Sequence, residues 1–304
     1  MKTDFYWMTP LYENSTTNAY LKFIKENIVM SEHTPVKIKE KKLFFLSPHP
    51  DDITLTFGGL IIANKGFKNY AKEYHVFFGT SNWTENDIDI QTNHRVETVT
   101  LTRFSENRFA LNALFGGWNQ YHFNFYGFYD AVLRQYNGPV TAGGGPWGNF
   151  STFRKVEKEN FEEIVHIVKR ILQIKDSAVF VLMANGSHID HFILCHAVIK
   201  AAAELGSKAV AQIYFGEDQP YTGDPAHRVA VGKEIKKFSQ HLGLIPLTYS
   251  IDIEAKMNIF SNYYISQFSP SYMVGLKARA KALNGGERIY LWPKENYIKG
   301  LKSY

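Results

Sequence analysis

Two short stretches of the chain concentrate residue types that hold metals and move protons. The first is Ser47-Pro-His49-Pro-Asp51-Asp52, one imidazole and two carboxylates at the end of the apolar run Leu43–Leu46. The second is His188-Ile-Asp190-His191, reached from the run Ser177–Met183 through Ala184-Asn-Gly-Ser187. In each, two ligand types stand three residues apart, which puts both side chains on one side of a first helical turn. Two imidazoles and a carboxylate, with one coordination position left open, make the donor set of a catalytic zinc centre. His49, Asp52 and His191 are assigned as the ligands. A metal so held lowers the pKa of water to about 7 and polarises a carbonyl. Asp51 is then set to take a proton from water as general base. His188 is left to stabilise an oxyanion or protonate a leaving amine. Asp190 would hold the His188 tautomer and raise its basicity. Each residue alone has a plainer reading: Asp51 as an N-cap, His188 as a polar loop residue. Two such loops in one chain favour chemistry.

The surrounding elements would bring those loops together. Leu43–Leu46 reads as a buried strand, with a helix from Thr54 to about Gly66. Tyr74–Gly79, Tyr121–Tyr126, Ser177–Met183, Ala209–Phe215 and Leu247–Ile251 read as further strands, and Arg288–Trp292 closes the pattern. Helical patterns run over His94–Phe115, Glu157–Leu172, Phe192–Leu205, Ile253–Gln267 and Tyr272–Leu283. Strands alternating with helices imply an α/β fold, Rossmann-like, with a mostly parallel sheet flanked by helices and extra C-terminal helices and a strand. In the common strand order 3-2-1-4-5-6, strands one and four are neighbours at the switch point, where ligands bind. Those are the strands that lead into the two histidine loops.

The bulk properties exclude several classes. The 304 residues are 45% hydrophobic, enough for a large core. Residues 1–41 read as an N-terminal extension, with a helical pattern at Tyr20–Val29, and 42–304 as the catalytic domain. The net charge of +5 is dispersed, and the densest run, Lys37–Lys42, is interrupted by Ile38 and Glu40; no nucleic-acid footprint is expected. The single Cys195 allows no intramolecular disulfide, no apolar run approaches a membrane span, and the N-terminus lacks a signal core, so a cytoplasmic protein is expected. No Gly-x-Gly-x-x-Gly follows the first strand. The glycine run Gly143–Gly148 lacks the Lys-Ser/Thr ending of a phosphate cradle and reads as a surface loop.

Pro48-His49-Pro-Asp-Asp52 and His188-Ile-Asp-His191 resemble the signature of the PIG-L/LmbE-like deacetylases. Weaker likenesses lie at Arg103–Glu106, Gly127–Asp130, Phe215–Tyr221, Tyr264–Gln267 and Gly286–Arg288. The resemblance implies zinc, with ferrous iron as the alternative, at His49, Asp52 and His191. It implies Asp51 as general base, His188 as the assisting group, and Arg103 and Asp130 facing substrate. The implied reaction removes an acetyl group from an N-acetylated amino sugar or its conjugate. Hydrolysis of a non-sugar amide, such as a natural-product intermediate, and metal or carbohydrate binding without catalysis are the alternatives. The chain departs from the family pattern at Ile53, where an acidic residue is usual, and at Gly186, where some members carry a tyrosine.

Overall fold

The computed structural model describes residues 36–85, 95–134, 155–186, 188–224 and 228–303; the helical pattern at Tyr20–Val29 and the run Gly143–Gly148 lie outside these. The strands are β1 (Lys42–Ser47), β2 (Ala71–Val76), β3 (His122–Phe125), β4 (Ser177–Leu182), β5 (Gln212–Gly216), β6 (Ile245–Ser250) and β7 (Gly286–Trp292). The helices are α1 (Asp52–Ala63), α2 (Arg95–Phe115), α3 (Lys155–Leu172), α4 (Ile189–Leu205), α5 (Arg228–Leu242), α6 (Ile253–Tyr263) and α7 (Pro270–Ala282).

The sheet order is β3-β2-β1-β4-β5-β7-β6. The first five strands are parallel, and β1 lies beside β4 with Leu43 opposite Ala178 and Phe45 opposite Phe180. The expected order holds through strand five. The sixth place is taken by β7, which pairs antiparallel with both β5 and β6 and moves β6 to the edge. Helix α5 is not among the expected elements.

Central strands that bury both faces read as unbroken apolar runs, because helices cover the sheet above and below. Phe44, Leu46, Val179 and Val181 face one core with α3, α4 and α5. Leu43, Phe45, Ala178 and Phe180 face the other with α1, α2, α6 and α7. Helix α3 keeps Phe161, Ile164, Val165, Val168 and Leu172 on one stripe and charges on the other. Helix α4 is buried nearly all round, so its apolar sequence has no solvated face. Among the described residues no helix is long and apolar enough to cross a membrane.

Candidate active site

The carboxyl ends of the five parallel strands each deliver polar groups to one buried cluster. From β1 the chain turns through His49, Asp51 and Asp52 into α1; from β4 it turns through His188 into α4, which carries Asp190 and His191 in its first turn. The His49 backbone N–H donates to Asp52 Oδ2 at 2.7 Å, which folds the first loop back on itself. Beneath it, the Tyr74 hydroxyl donates to the Pro50 carbonyl at 3.0 Å, and the Tyr264 hydroxyl, which donates to Asn107 Oδ1 at 2.8 Å, comes within 3.4 Å of the same carbonyl. The loop is therefore braced from β2 and from the segment after α6.

Three atoms from the two loops form a nearly equilateral triangle. His49 Nδ1 is 3.2 Å from His191 Nε2, His49 Nδ1 is 3.2 Å from Asp52 Oδ2, and His191 Nε2 is 3.2 Å from Asp52 Oδ2. Ligand bonds of 2.0–2.1 Å around a tetrahedral zinc ion separate neighbouring donors by about 3.3 Å, so the triangle has the dimensions of a zinc face. Both imidazoles are backed by carboxylates on their far nitrogens. His49 Nε2 meets Asp190 Oδ2 at 3.1 Å, and His191 Nδ1 meets Asp218 Oδ2 at 2.8 Å. Such partners fix the tautomer of a ligating imidazole and raise its basicity. Two overlapping sets, His49 with His188 and His191, and His49 with Asp130, His188 and Asp190, also bring ligand atoms within 4.8 Å of one another. They fit a metal less well, because His188 Nδ1 already accepts the Asp190 backbone N–H and His49 Nε2 already serves the Asp190 carboxylate.

Asp190 differs from its expected role. Its carboxylate is held by His49, by the Arg134 guanidinium and by the Ala131 N–H. What Asp190 gives His188 is its backbone N–H, at 3.2 Å to Nδ1. Residues two apart on a helix point to opposite sides, which is why the carboxylate serves a different ring. With Nδ1 accepting, the His188 proton sits on Nε2, and that N–H is the group His188 offers to a ligand.

Asp51 occupies the N-cap position of α1, yet its side chain makes no capping bond. Its Oδ1 lies 3.5 Å from Arg103 Nη2, and Arg103 Nη1 reaches Asp130 Oδ2 at 3.1 Å. Arg103 and Asp130 are thus part of the cluster, both buried, with Ser81 Oγ also donating to Asp130. Trp83 lies against the Arg103 guanidinium, 6.0 Å from the ring centroid, and is partly exposed.

The electrostatics call for positive charge. Burial opposes the protonated form of His49, yet Asp130, Asp190 and Asp52 carry its pKa up to about 9. Burial is likewise overridden at His191, where Asp218 and Asp52 hold the pKa well above its usual value. Asp52 is held well below the carboxylate range by His191 and His49 despite its burial. Asp51 is pushed up, by burial first and then by the neighbouring Asp52 charge. Burial and the charges of His49 and His191 drive His188 down to about 3, so it is neutral. A pocket in which aspartates keep two imidazoles protonated with their nitrogens 3.2 Å apart suits a divalent cation.

Asp218 is the residue that sequence reasoning missed. The signal was present: it follows β5, the next parallel strand after β4, within the noted run Phe215–Tyr221. Ile53 is fully buried in apolar packing, so the position that departs from the family pattern belongs to the core and not to the cluster.

Comparison with known proteins agrees with the fold. A deacetylase from the teicoplanin biosynthesis pathway superposes with a TM-score of 0.55 at 17% identity, covering 82% of this chain and 97% of its own. The A40926 pseudoaglycone deacetylase gives 0.51 at 19% identity, covering 84% and 97%. N,N'-diacetylchitobiose deacetylase from Pyrococcus horikoshii gives 0.51 at 16% identity, covering 93% and 95%. No curated protein sequence matches the chain. The family model described as GlcNAc-PI de-N-acetylase matches residues 44–203, the span from β1 to the end of α4 that contains both histidine loops. By that match, the chain belongs to the PIG-L family.

Proposed function

We propose that the protein is a metal-dependent amide hydrolase that removes an N-acetyl group from an amino sugar or its glycoconjugate. The observation that carries this reading is the 3.2 Å triangle of His49 Nδ1, His191 Nε2 and Asp52 Oδ2, with the neighbouring Asp51 carboxylate left out of helix capping and paired with Arg103. Ligands alone would suffice for binding; the added base argues for turnover. His49, Asp52 and His191 would hold the ion, zinc in the first instance. A divalent cation in such a site supplies a Lewis acid and lowers the pKa of water.

The chain's own groups do the rest. Asp51 accepts the proton of the attacking water, oriented by Arg103 at 3.5 Å. His188, neutral and carrying its proton on Nε2, donates to the acyl oxygen as negative charge gathers there. The proton held by Asp51 then passes to the leaving nitrogen, and an amine and acetate depart. Asp190 and Asp218 keep His49 and His191 oriented, and Arg103 with Asp130 forms the wall on the Asp51 side.

A sugar-bearing substrate is supported by the likeness to deacetylases of teicoplanin, the A40926 pseudoaglycone and diacetylchitobiose. Trp83, partly exposed over Arg103, is a ring against which a pyranose can stack. The test is amine release from N-acetylglucosamine derivatives by zinc-loaded protein, measured with and without chelator. Chelator-sensitive release supports the reading; a fully metallated protein inert towards every N-acetylated amino sugar tried overturns the substrate class.

A further inference from the structure

Tyr221 lies in the turn Tyr221–Gly223 that follows β5, and three glycines make its place. A Cβ on Gly223 would stand 1.8 Å from the Gly275 carbonyl oxygen, and one on Gly275 would stand 2.8 Å from the Pro220 carbonyl oxygen. The turn therefore rests backbone to backbone on α7, an approach that any side chain would forbid. A Cβ on Gly186, in the loop before His188, would stand 2.3 Å from Cδ2 of the Tyr221 ring. The ring is seated directly on the loop that delivers His188 and His191. It stands edge-on to His191, with centroids 6.4 Å apart at 64°. Burial first, then Tyr272 and the carboxylates of Asp218, Asp52 and Asp51, hold its hydroxyl protonated, well above the usual phenol pKa.

That hydroxyl differs from those of most tyrosines around it; Tyr272 on α7 is the neighbour that likewise has no hydrogen-bond partner among the described residues. Tyr74 spends its own on the Pro50 carbonyl, Tyr264 on Asn107 Oδ1, Tyr249 on Glu287 and Tyr290 on Glu217. Tyr221 has no hydrogen-bond partner among the described residues, and its oxygen is not sealed from solvent. A ring packed on Gly186 of the loop that delivers His188 and His191, in a turn that Gly223 and Gly275 hold against α7, with its O–H free of protein partners, is arranged for a group that arrives from outside.

We propose that Tyr221 is a catalytic residue whose hydroxyl donates a hydrogen bond to the acyl oxygen of the scissile amide, together with His188. This rests on the amide-hydrolase reading above. The water oxygen forms the bond to the acyl carbon, the C=O π pair moves onto the acyl oxygen, and the water proton goes to Asp51. Tyr221 keeps its proton and only stabilises the charge.

Tyr221→Phe tests this, because it retains the ring on Gly186 and removes only the donor. Zinc stoichiometry and melting temperature should stay at wild-type values. kcat should fall about 100-fold with little change in KM, the loss that follows removal of one oxyanion donor. A readout free of turnover uses methylphosphonate, a tetrahedral anion, bound to the zinc-loaded protein and followed by calorimetry; its affinity should weaken about tenfold in Tyr221→Phe. Gly186→Ala should produce the same pair of losses, since its methyl group displaces the ring. Unchanged methylphosphonate affinity, no methylphosphonate binding by the wild type, or kcat within about twofold of wild type overturns the assignment. Loss of affinity in Tyr221→Phe while wild type releases no amine supports the donor and counts against the hydrolase reading instead.

Discussion

Two of the buried groups of charged side chains in this fold differ in how their charge is balanced. Lys256 on α6 and Glu287 on β7 form a direct ion pair, with Tyr249 Oη donating to the same carboxylate at 3.0 Å. Burial lowers the Lys256 pKa and Glu287 opposes the shift, so the charges answer each other one for one. In the histidine cluster, Asp51, Asp52, Asp130, Asp190 and Asp218 share the space with Arg103 and Arg134, and Arg134 also serves Glu157. The surplus there is negative and falls on two imidazoles that meet nitrogen to nitrogen. Burial of charge is thus common to a structural pair and to a candidate active site; uncompensated charge marks the second.

Substitutions that break this contrast should separate the two regions. His191→Ala removes one corner of the triangle and leaves Asp52 and Asp218 without the cation between them. Bound zinc, read by elemental analysis, should fall to background, and amine release with it. Asp51→Ala should keep one zinc per chain while turnover drops about 10²- to 10⁴-fold, the range for a lost general base. Lys256→Met leaves Glu287 buried and unpaired and should destabilise the fold by about 3–5 kcal/mol in denaturant unfolding. The folded fraction of Lys256→Met should still bind zinc and turn over normally, which no cluster substitution should allow. Asp218→Asn weakens the support behind His191 and should cost about 10- to 100-fold in zinc affinity, measured by chelator competition.

The candidate site was legible where it is local. His49 with Asp52 and His188 with His191 are three residues apart, so helix geometry alone pairs them, and the buried runs before them mark β1 and β4. That those strands are neighbours followed from the usual order of a parallel sheet. Asp190 was misread because proximity in sequence suggested His188, while the helical turn aims its carboxylate at His49. Asp218 reaches His191 across 27 residues, and nothing local to His191 points to it. The packing of Tyr221 on Gly186 joins two separate loops, and nothing local to either residue points to it. The place of β7 between β5 and β6 is set by antiparallel pairing at the far end of the chain, for which the sequence carries no pairing signal. Helix α5 could have been found: Val231, Ile235, Phe238 and Leu242 fall on one buried face at helical spacing.

The most direct measurement is amine release from an N-acetylglucosamine conjugate by the zinc-loaded protein, with Asp51→Ala run beside it at equal metal content. Release by the wild type, abolished by chelator and reduced at least about 100-fold in Asp51→Ala, is the predicted result. Equal release by the two proteins at one zinc per chain would contradict Asp51 as the base, and with it the proposed division of labour in the cluster.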